Sequence, residues 1–161
     1  MRLRVRVRVR AHAMIQRFAA LLLVGAGLPF GQNAAAQTGA RSGYVVVVHA
    51  SNPVAELSRQ DVARFFLKRS GAWRTGLIVA PVDLPPESPT RIAFSSAILG
   101  QSPKAVSTYW LQEIFARRAQ PPPVRATAAA VVAFVAANPG AIGYVPDDTP
   151  LNGVHGVTVT P

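Results

Sequence analysis

The feature that most constrains this chain is the stretch 83–94, where an apolar strand leads through a turn directly into a capped helix. Residues 77–82 (LIVAPV) form the kind of short apolar run that is typical of a buried parallel strand. Ser88 suits the N-cap and Pro89 the first helical position, and mostly apolar residues follow as far as Gly100. The pattern predicts a buried strand, a turn and a buried helix.

The start of this predicted helix is a candidate anion site. A helix N-terminus leaves backbone N–H groups unpaired and carries the positive end of the helix dipole. Ser88 and Thr90 add hydroxyl groups there, and Arg91 adds a cation where the dipole alone would prefer an acid. We therefore expect these three residues to bind an oxyanion. The alternative is that Ser88 only caps the helix and Arg91 points into water.

Residues 1–36 have the pattern of a signal peptide. Arginines at alternating positions up to Arg10 precede an apolar run at 18–28, and Ala34-Ala35-Ala36 resembles a cleavage site. The apolar run is too short to span a bilayer permanently. Met14 offers a second start, and the arginine-rich segment would suit a strand or a nucleic-acid arm if it were retained. We expect a periplasmic or secreted protein, cleaved near Ala36-Gln37.

The composition excludes several classes of function. Six of the 17 Lys and Arg lie at or before Arg17, which leaves 11 against 7 acids, or about +4, so little remains to support nucleic-acid binding. Without cysteine, the chain has no disulfide and no thiol nucleophile. His49 and His155 stand far apart without a second ligand at zinc spacing, and no phosphate loop or dinucleotide fingerprint occurs. We expect no metal and no cofactor.

We expect residues 37–43 to be a disordered leader. The pattern of residues 44–161 predicts one α/β domain. The expected sheet is mostly parallel and has helices on both faces, so the architecture is a three-layer αβα. The predicted elements are a central strand at 44–48, a helix capped by Ser58 and Asp61, helices opening at Ser102 and Thr127, a strand at 141–145 and an edge strand at 156–160. The first helix crosses between two strands, which predicts that those strands are parallel.

Parallel strands would bring two loops together at one edge of the sheet. We therefore expect Ser51 and Asn52, after the first strand, to face Ser88 and to add to the anion site. His49, Ser51 and Asp83 are also a candidate hydrolase triad, but the chain has no G-x-S-x-G elbow. The prediction is a protein that is not an enzyme.

Three segments carry a family resemblance: LSRQDVARFFLKRSGAW, IVAPVDLPPESPTRIAF and AFVAANPGAIGYV. Together they resemble the phosphate-binding proteins of ABC-type importers, which have the type II periplasmic-binding-protein fold. In that family an R-x-D-G-S-G-T segment holds phosphate at a helix start, and Ser88 and Thr90 match its serine and threonine. The family's arginine falls on Leu84 and its glycine on Pro89, which has no N–H. Arg91 is then the candidate replacement for the missing charge.

The resemblance runs from Tyr44 to Val145 and covers about one of the family's two lobes. It implies a non-enzymatic phosphate or oxyanion binder, related to the substrate-binding component of a phosphate importer and partnered by that importer or another periplasmic or membrane protein. A single lobe leaves the anion solvated on one side, so affinity is expected to be poor. The alternative is a degenerate lobe that acts as a periplasmic interaction module without a ligand, through the tri-proline tract or an apolar surface.

Overall fold

A computed structural model describes residues 43–117 and 119–161. The predicted signal peptide and residues 37–42 of the predicted leader lie outside the described residues. The strands are β1 (Val45–His49), β2 (Glu56–Ser58), β3 (Ala80–Pro81), β4 (Ala141–Val145) and β5 (Val154–Thr160). The helices are α1 (Arg59–Phe66), α2 (Pro89–Phe94), α3 (Pro103–Arg117) and α4 (Ala128–Ala137), and a π-helical turn, Ser95–Leu99, continues α2.

The five strands form one mixed sheet in the order β2-β5-β1-β4-β3. β1 pairs antiparallel with both of its neighbours, whereas β2 runs parallel to β5 and β3 parallel to β4. The α/β class is confirmed, but the expectation of a mostly parallel sheet is wrong, and β1 and β3 run in opposite directions. β4 lies between them, so the segment from β1 to β3 is not a parallel crossover.

Helices cover both faces of the sheet, as predicted. On one face α4 packs against β4 at Gly143, where an added Cβ would lie 2.7 Å from Val131 Cγ1. On the other face Tyr144 stacks on Phe94 of α2, with ring centroids 3.8 Å apart, and meets Phe66 of α1 at 5.6 Å. Successive side chains of a strand point to opposite faces, so Gly143 of β4 meets α4 and Tyr144 meets α1 and α2. The sheet is therefore the middle layer of three.

The helix caps form as the sequence predicts. Ser58 accepts a hydrogen bond from the Asp61 amide at 3.1 Å and donates its hydroxyl to the Asp61 carboxylate at 2.8 Å. Thr127 accepts from the Ala130 amide at 3.2 Å and caps α4. These local bonds fix the starts of α1 and α4 and point their apolar faces at the sheet.

Three expectations about exposure and position are wrong. Residues 77–82 contribute only a two-residue strand, because Leu77 and Ile78 belong to an exposed turn in which the Trp73 amide donates to Leu77 O at 2.8 Å. In α2, Ile92 is exposed, so the helix is buried on one side only. β5 is not an edge strand, because β2, too short to show a periodic pattern, covers it.

Candidate functional site

Three buried polar side chains meet where β3 leads into α2. Arg91 Nη2 lies 2.9 Å from Asp83 Oδ2. Tyr144, from β4, donates its phenolic O–H to Asp83 Oδ1, and the Leu84 amide donates to the same oxygen at 2.9 Å. Both oxygens of the Asp83 carboxylate therefore have partners, and the cluster ties the start of α2 to the centre of the sheet.

Burial governs the electrostatics of this cluster. It raises the pKa of Asp83 above its usual value, while Arg91, the Tyr144 hydroxyl and the Leu84 amide act in the opposite direction. Burial, followed by the nearby charge of Asp83, also raises the pKa of Tyr144. The Tyr144 phenol therefore stays protonated at physiological pH and can serve as a hydrogen-bond donor.

Arg91 has more hydrogen-bond donors than the cluster satisfies. A guanidinium group carries five N–H bonds and stays charged at all accessible pH. Nη2 meets Asp83, but Nε and Nη1 are buried and have no hydrogen-bond partner among residues 43–117 and 119–161. Each buried donor without a partner costs on the order of 1–3 kcal/mol.

The candidate anion residues line an open cleft at the start of α2, which we call the α2 cleft. It has a volume of about 380 Å³. Ser88 and Thr90 line it together with Thr127, which caps α4, and with the acidic residue Glu87. Ser88 holds the N-cap position, yet its side chain makes no capping hydrogen bond. The hydroxyl of Ser88 is therefore available to a ligand, beside the first-turn amides of α2.

Arg91 does not line the α2 cleft. The expectation that it stands beside Ser88 and Thr90 as the cation of the anion site is wrong, because its guanidinium turns inward to Asp83. The alternative, an arginine that points into water, is wrong as well, since only 7% of its side chain is exposed. Pro89 offers no N–H, so the α2 cleft holds hydroxyls and few amides.

Ser51 and Asn52 lie at the other end of the sheet. Val45 of β1 is paired with Val145 of β4, and β3 runs parallel to β4, so the end of β1 and the end of β3 point in opposite directions. The five residues of β1 separate the two loops by about 15 Å. The expectation that these loops share a crevice with Ser88 is therefore wrong.

The turn after β1 satisfies its own polar groups. His49 Nδ1 accepts from the Ser51 amide at 3.0 Å and lies 2.7 Å from Ser51 Oγ. Asn52 Oδ1 accepts from the Val54 amide at 3.1 Å. Asp83 lies at the opposite end of the sheet, bound to Arg91, so the candidate triad of His49, Ser51 and Asp83 does not assemble.

A second depression, which we call the α3 groove, lies between α3 and the tri-proline tract. Its volume is about 350 Å³, and its described lining includes the charged residues Asp83 and Arg91. Its apolar walls are formed by Val106, Trp110, Leu111 and Ile114 of α3 and by Pro121 and Pro122. On the same helix, Phe115 is 85% exposed.

Sequence reasoning missed the cluster of Asp83, Arg91 and Tyr144. Asp83 follows an apolar run and Arg91 stands among apolar helix residues, so each was a lone charge in a segment predicted to be buried. Buried charges are normally paired, and that rule would have matched the two. Tyr144 gave no such signal, because its contact with Asp83 spans 61 positions in sequence.

Among residues 43–117 and 119–161, no three His, Asp or Glu side chains are placed to share a metal ion. In the same part of the chain, no helix combines the length and the hydropathy that a membrane span requires.

Comparison with solved structures identifies the fold. The chain superimposes on a candidate phosphate ABC transporter substrate-binding protein with bound phosphate from Clostridium perfringens, with a TM-score of 0.58 and 19% identity. An ABC-type phosphate transport receptor from Vibrio cholerae matches with a TM-score of 0.57 and 18% identity, and PstS from Borrelia burgdorferi with a TM-score of 0.55 and 13% identity. No protein-family model matches the sequence, and no curated protein does either.

The match is partial in length. It covers 73% of this chain in each case, but only 44%, 46% and 47% of the three solved chains. The chain thus spans less than half the length of these proteins, as expected for one lobe of the fold. The predicted type II periplasmic-binding-protein fold is confirmed at this level.

Proposed function

We propose that this chain is an exported, non-enzymatic binding protein that takes phosphate or a related oxyanion in the α2 cleft. Ser88 and Thr90 supply hydroxyl groups there, and the starts of α2 and α4 supply the positive ends of two helix dipoles. The observation that carries the proposal is that the Ser88 hydroxyl makes no capping hydrogen bond. The fold of phosphate-binding receptors, one of them solved with phosphate, supports it.

The α2 cleft predicts weak binding. It is open to solvent, Arg91 is committed to Asp83, and Glu87 places a negative charge at the rim. Hydrogen bonds to hydroxyls in water contribute little net free energy. We therefore expect a dissociation constant on the order of millimolar, and we expect the affinity to fall as salt screens the helix dipoles.

Isothermal titration with phosphate at low ionic strength tests this function. Ser88→Ala and Thr90→Val should each weaken binding several-fold, since each removes one hydroxyl from the α2 cleft. The matched control is Thr108→Val, an exposed threonine on α3 that does not line the cleft. Absence of heat at millimolar phosphate would contradict the proposal, and equal losses in all three variants would place the site elsewhere.

A second candidate function is docking of a periplasmic or membrane protein partner, such as an importer subunit, without any ligand. The exposed side chains of Leu111, Ile114 and Phe115 favour it. They recur at the spacing of one helix face and continue into the α3 groove, and such patches often mark interaction sites. This function does not need the α2 cleft.

Affinity capture from a periplasmic extract distinguishes the two functions. A partner that binds the chain should be lost with Phe115→Asp and kept with Gln112→Asp, which places the same charge on an exposed position of the same helix. If nothing is captured while phosphate binds, the first function stands alone.

A further inference from the structure

The segment between α1 and β3 is strongly basic. Residues 62–82 contain four cations, Arg64, Lys68, Arg69 and Arg74, and no acidic residue. Three of them, Arg64, Arg69 and Arg74, line one open cleft with a volume of about 740 Å³, which we call the arginine cleft. β2, α1 and the loop after α1 form its walls. Neither of the two candidate functions uses this surface.

The loop that carries Arg74 is held by the core of the protein. Trp73 is 4% exposed, and its indole N–H donates to Gly140 O at 2.9 Å. Its ring packs against Phe65 with centroids 4.9 Å apart, and its backbone amide donates to Leu77 O at 2.8 Å and closes the turn. Arg74 is the next residue and is exposed. The turn therefore holds the backbone of Arg74 in place before a ligand binds, which lowers the entropic cost of binding.

The charges of the described lining favour an acidic ligand that also carries N–H donors. Three arginines stand against two acids, Glu56 and Asp61. Asp61 already accepts from the Ser58 hydroxyl at 2.8 Å and pairs with Arg64 at 3.6 Å. Arg74 forms no ion pair with another residue in the described part of the chain. Carboxylates match the planar guanidinium groups, whereas Glu56 would repel an anion that has no N–H to offer it.

β2 adds a backbone surface to the arginine cleft. It lies at the edge of the sheet, and all three of its residues line the cleft. An edge strand presents backbone N–H and C=O groups that have no partner within its own sheet. An extended peptide can pair with such groups while its side chains reach neighbouring charges. Backbone pairing and carboxylate recognition are thus both possible in one cleft.

We propose that the arginine cleft is a docking site for a short, extended and acidic peptide segment of a partner protein. The peptide carboxylates pair with Arg64, Arg69 and Arg74, and the peptide backbone adds to the edge of β2. The ion pairs stay in contact with water, so each contributes little, and we expect a dissociation constant on the order of 100 μM at low salt. The inference is independent of phosphate binding, because the arginine cleft shares no lining residue with the α2 cleft.

Titration with an acetylated, amidated hexaglutamate peptide tests the site in proton–nitrogen NMR spectra of the full chain. The peptide should shift the backbone amide signals of β2 and the indole signal of Trp73, which lines the cleft, and leave the indole signal of Trp110 in place. A hexaglutamine peptide lacks the charges and should bind at least about tenfold more weakly. Unchanged β2 signals, or equal binding of the hexaglutamine peptide, would overturn the proposal.

Two variants test the location. Arg74→Gln removes one cation from an exposed turn and should weaken binding of the hexaglutamate peptide about threefold. Lys104→Gln is the matched control, because it removes the same charge from an exposed position of α3 outside the lining. At physiological salt, where the Debye length is about 8 Å, Lys104→Gln should leave the affinity unchanged. Equal losses in the two variants would mean that the peptide responds only to net charge, and would overturn the assignment to the arginine cleft.

Two further ligands test the kind of partner. A hexaglutamate peptide that is methylated at every backbone nitrogen keeps its carboxylates but has no N–H to donate to β2, so it should bind several-fold more weakly. Linear hexaphosphate has no N–H donor either and is repelled by Glu56, so it should also bind more weakly than the unmodified peptide. Equal binding of the methylated peptide would overturn the part assigned to β2. Tighter binding of hexaphosphate would overturn the peptide assignment in favour of a phosphate-rich polyanion.

Discussion

Arg91 and Asp83 form an ion pair of 2.9 Å inside the protein, with 7% and 8% of their side chains exposed. The pair joins the end of β3 to the first turn of α2, which is the junction where the sequence predicts an anion site. The cation expected to hold the ligand thus balances an internal carboxylate. A phosphate ion in the α2 cleft has to rely on hydroxyls and helix dipoles, so the predicted affinity is weak.

Removal of the Arg91 charge should destabilise the protein strongly. Arg91→Met leaves Asp83 buried without its counter-ion, and the expected loss is about 3–5 kcal/mol of unfolding free energy. Urea unfolding at neutral pH measures it. The control is Arg64→Met, which breaks an exposed pair with Asp61 of 3.6 Å and should cost well under 1 kcal/mol. Similar losses for both variants would contradict the burial of the Arg91–Asp83 pair.

The Tyr144 hydroxyl should stabilise the protein at neutral pH. Tyr144→Phe keeps the ring stacked on Phe94 but removes the O–H donor from a buried carboxylate, Asp83. We expect a loss of about 1–3 kcal/mol of unfolding free energy, since hydrogen bonds to charged groups are the stronger class. Urea unfolding measures this loss. An unchanged free energy of unfolding would mean that the hydrogen bond does not stabilise the protein.

The same variant should change the pH dependence of stability. The pKa of Tyr144 in the folded protein is raised above its ordinary value of 10.0. Above pH 10.0 the unfolded chain releases this proton while the folded protein keeps it, so the contribution of Tyr144 to stability falls as the pH rises. The stability difference between wild type and Tyr144→Phe should therefore shrink between neutral pH and about pH 11. A constant difference would contradict the raised pKa.

A side chain at position 143 should destabilise the protein. An added Cβ would lie 2.7 Å from Val131 Cγ1 and 3.0 Å from Val82 Cγ1, so Gly143→Ala must push α4 or β3 away from β4. Such overpacking typically costs about 1–3 kcal/mol, and thermal unfolding measures it. Gly71→Ala is the control, because its Cβ would meet no heavy atom within 4 Å. A stable Gly143→Ala protein would mean that the layers are less tightly packed.

Features set by neighbouring residues were predictable from the sequence. Ser58 and Thr127 cap their helices as predicted, because a cap involves residues two or three positions apart. The direction of β1 against β4 was not predictable, since it depends on residues about 100 positions apart. The contact of Tyr144 with Asp83 could not be predicted for the same reason, because 61 positions separate the two residues. The pairing of Arg91 with Asp83 is local, and it follows from the rule that buried charges are paired.

The negative charge of Glu87 at the α2 cleft should weaken phosphate binding. Glu87 lines the cleft beside Ser88, where it opposes any anion. Glu87→Gln removes that charge while it keeps the size of the side chain, so phosphate should bind roughly twofold to threefold more tightly at low salt. The gain should decline at physiological ionic strength, where the Debye length is about 8 Å.

Calorimetric titration with phosphate at two salt concentrations measures the effect of Glu87→Gln. Glu56→Gln is the control, because Glu56 lies in β2 and lines a different cleft. Both variants raise the net charge of the protein by one unit, so a general electrostatic effect would increase affinity equally in the two. A gain confined to Glu87→Gln would place the anion next to Ser88, and equal gains would mean that phosphate binds without a defined site.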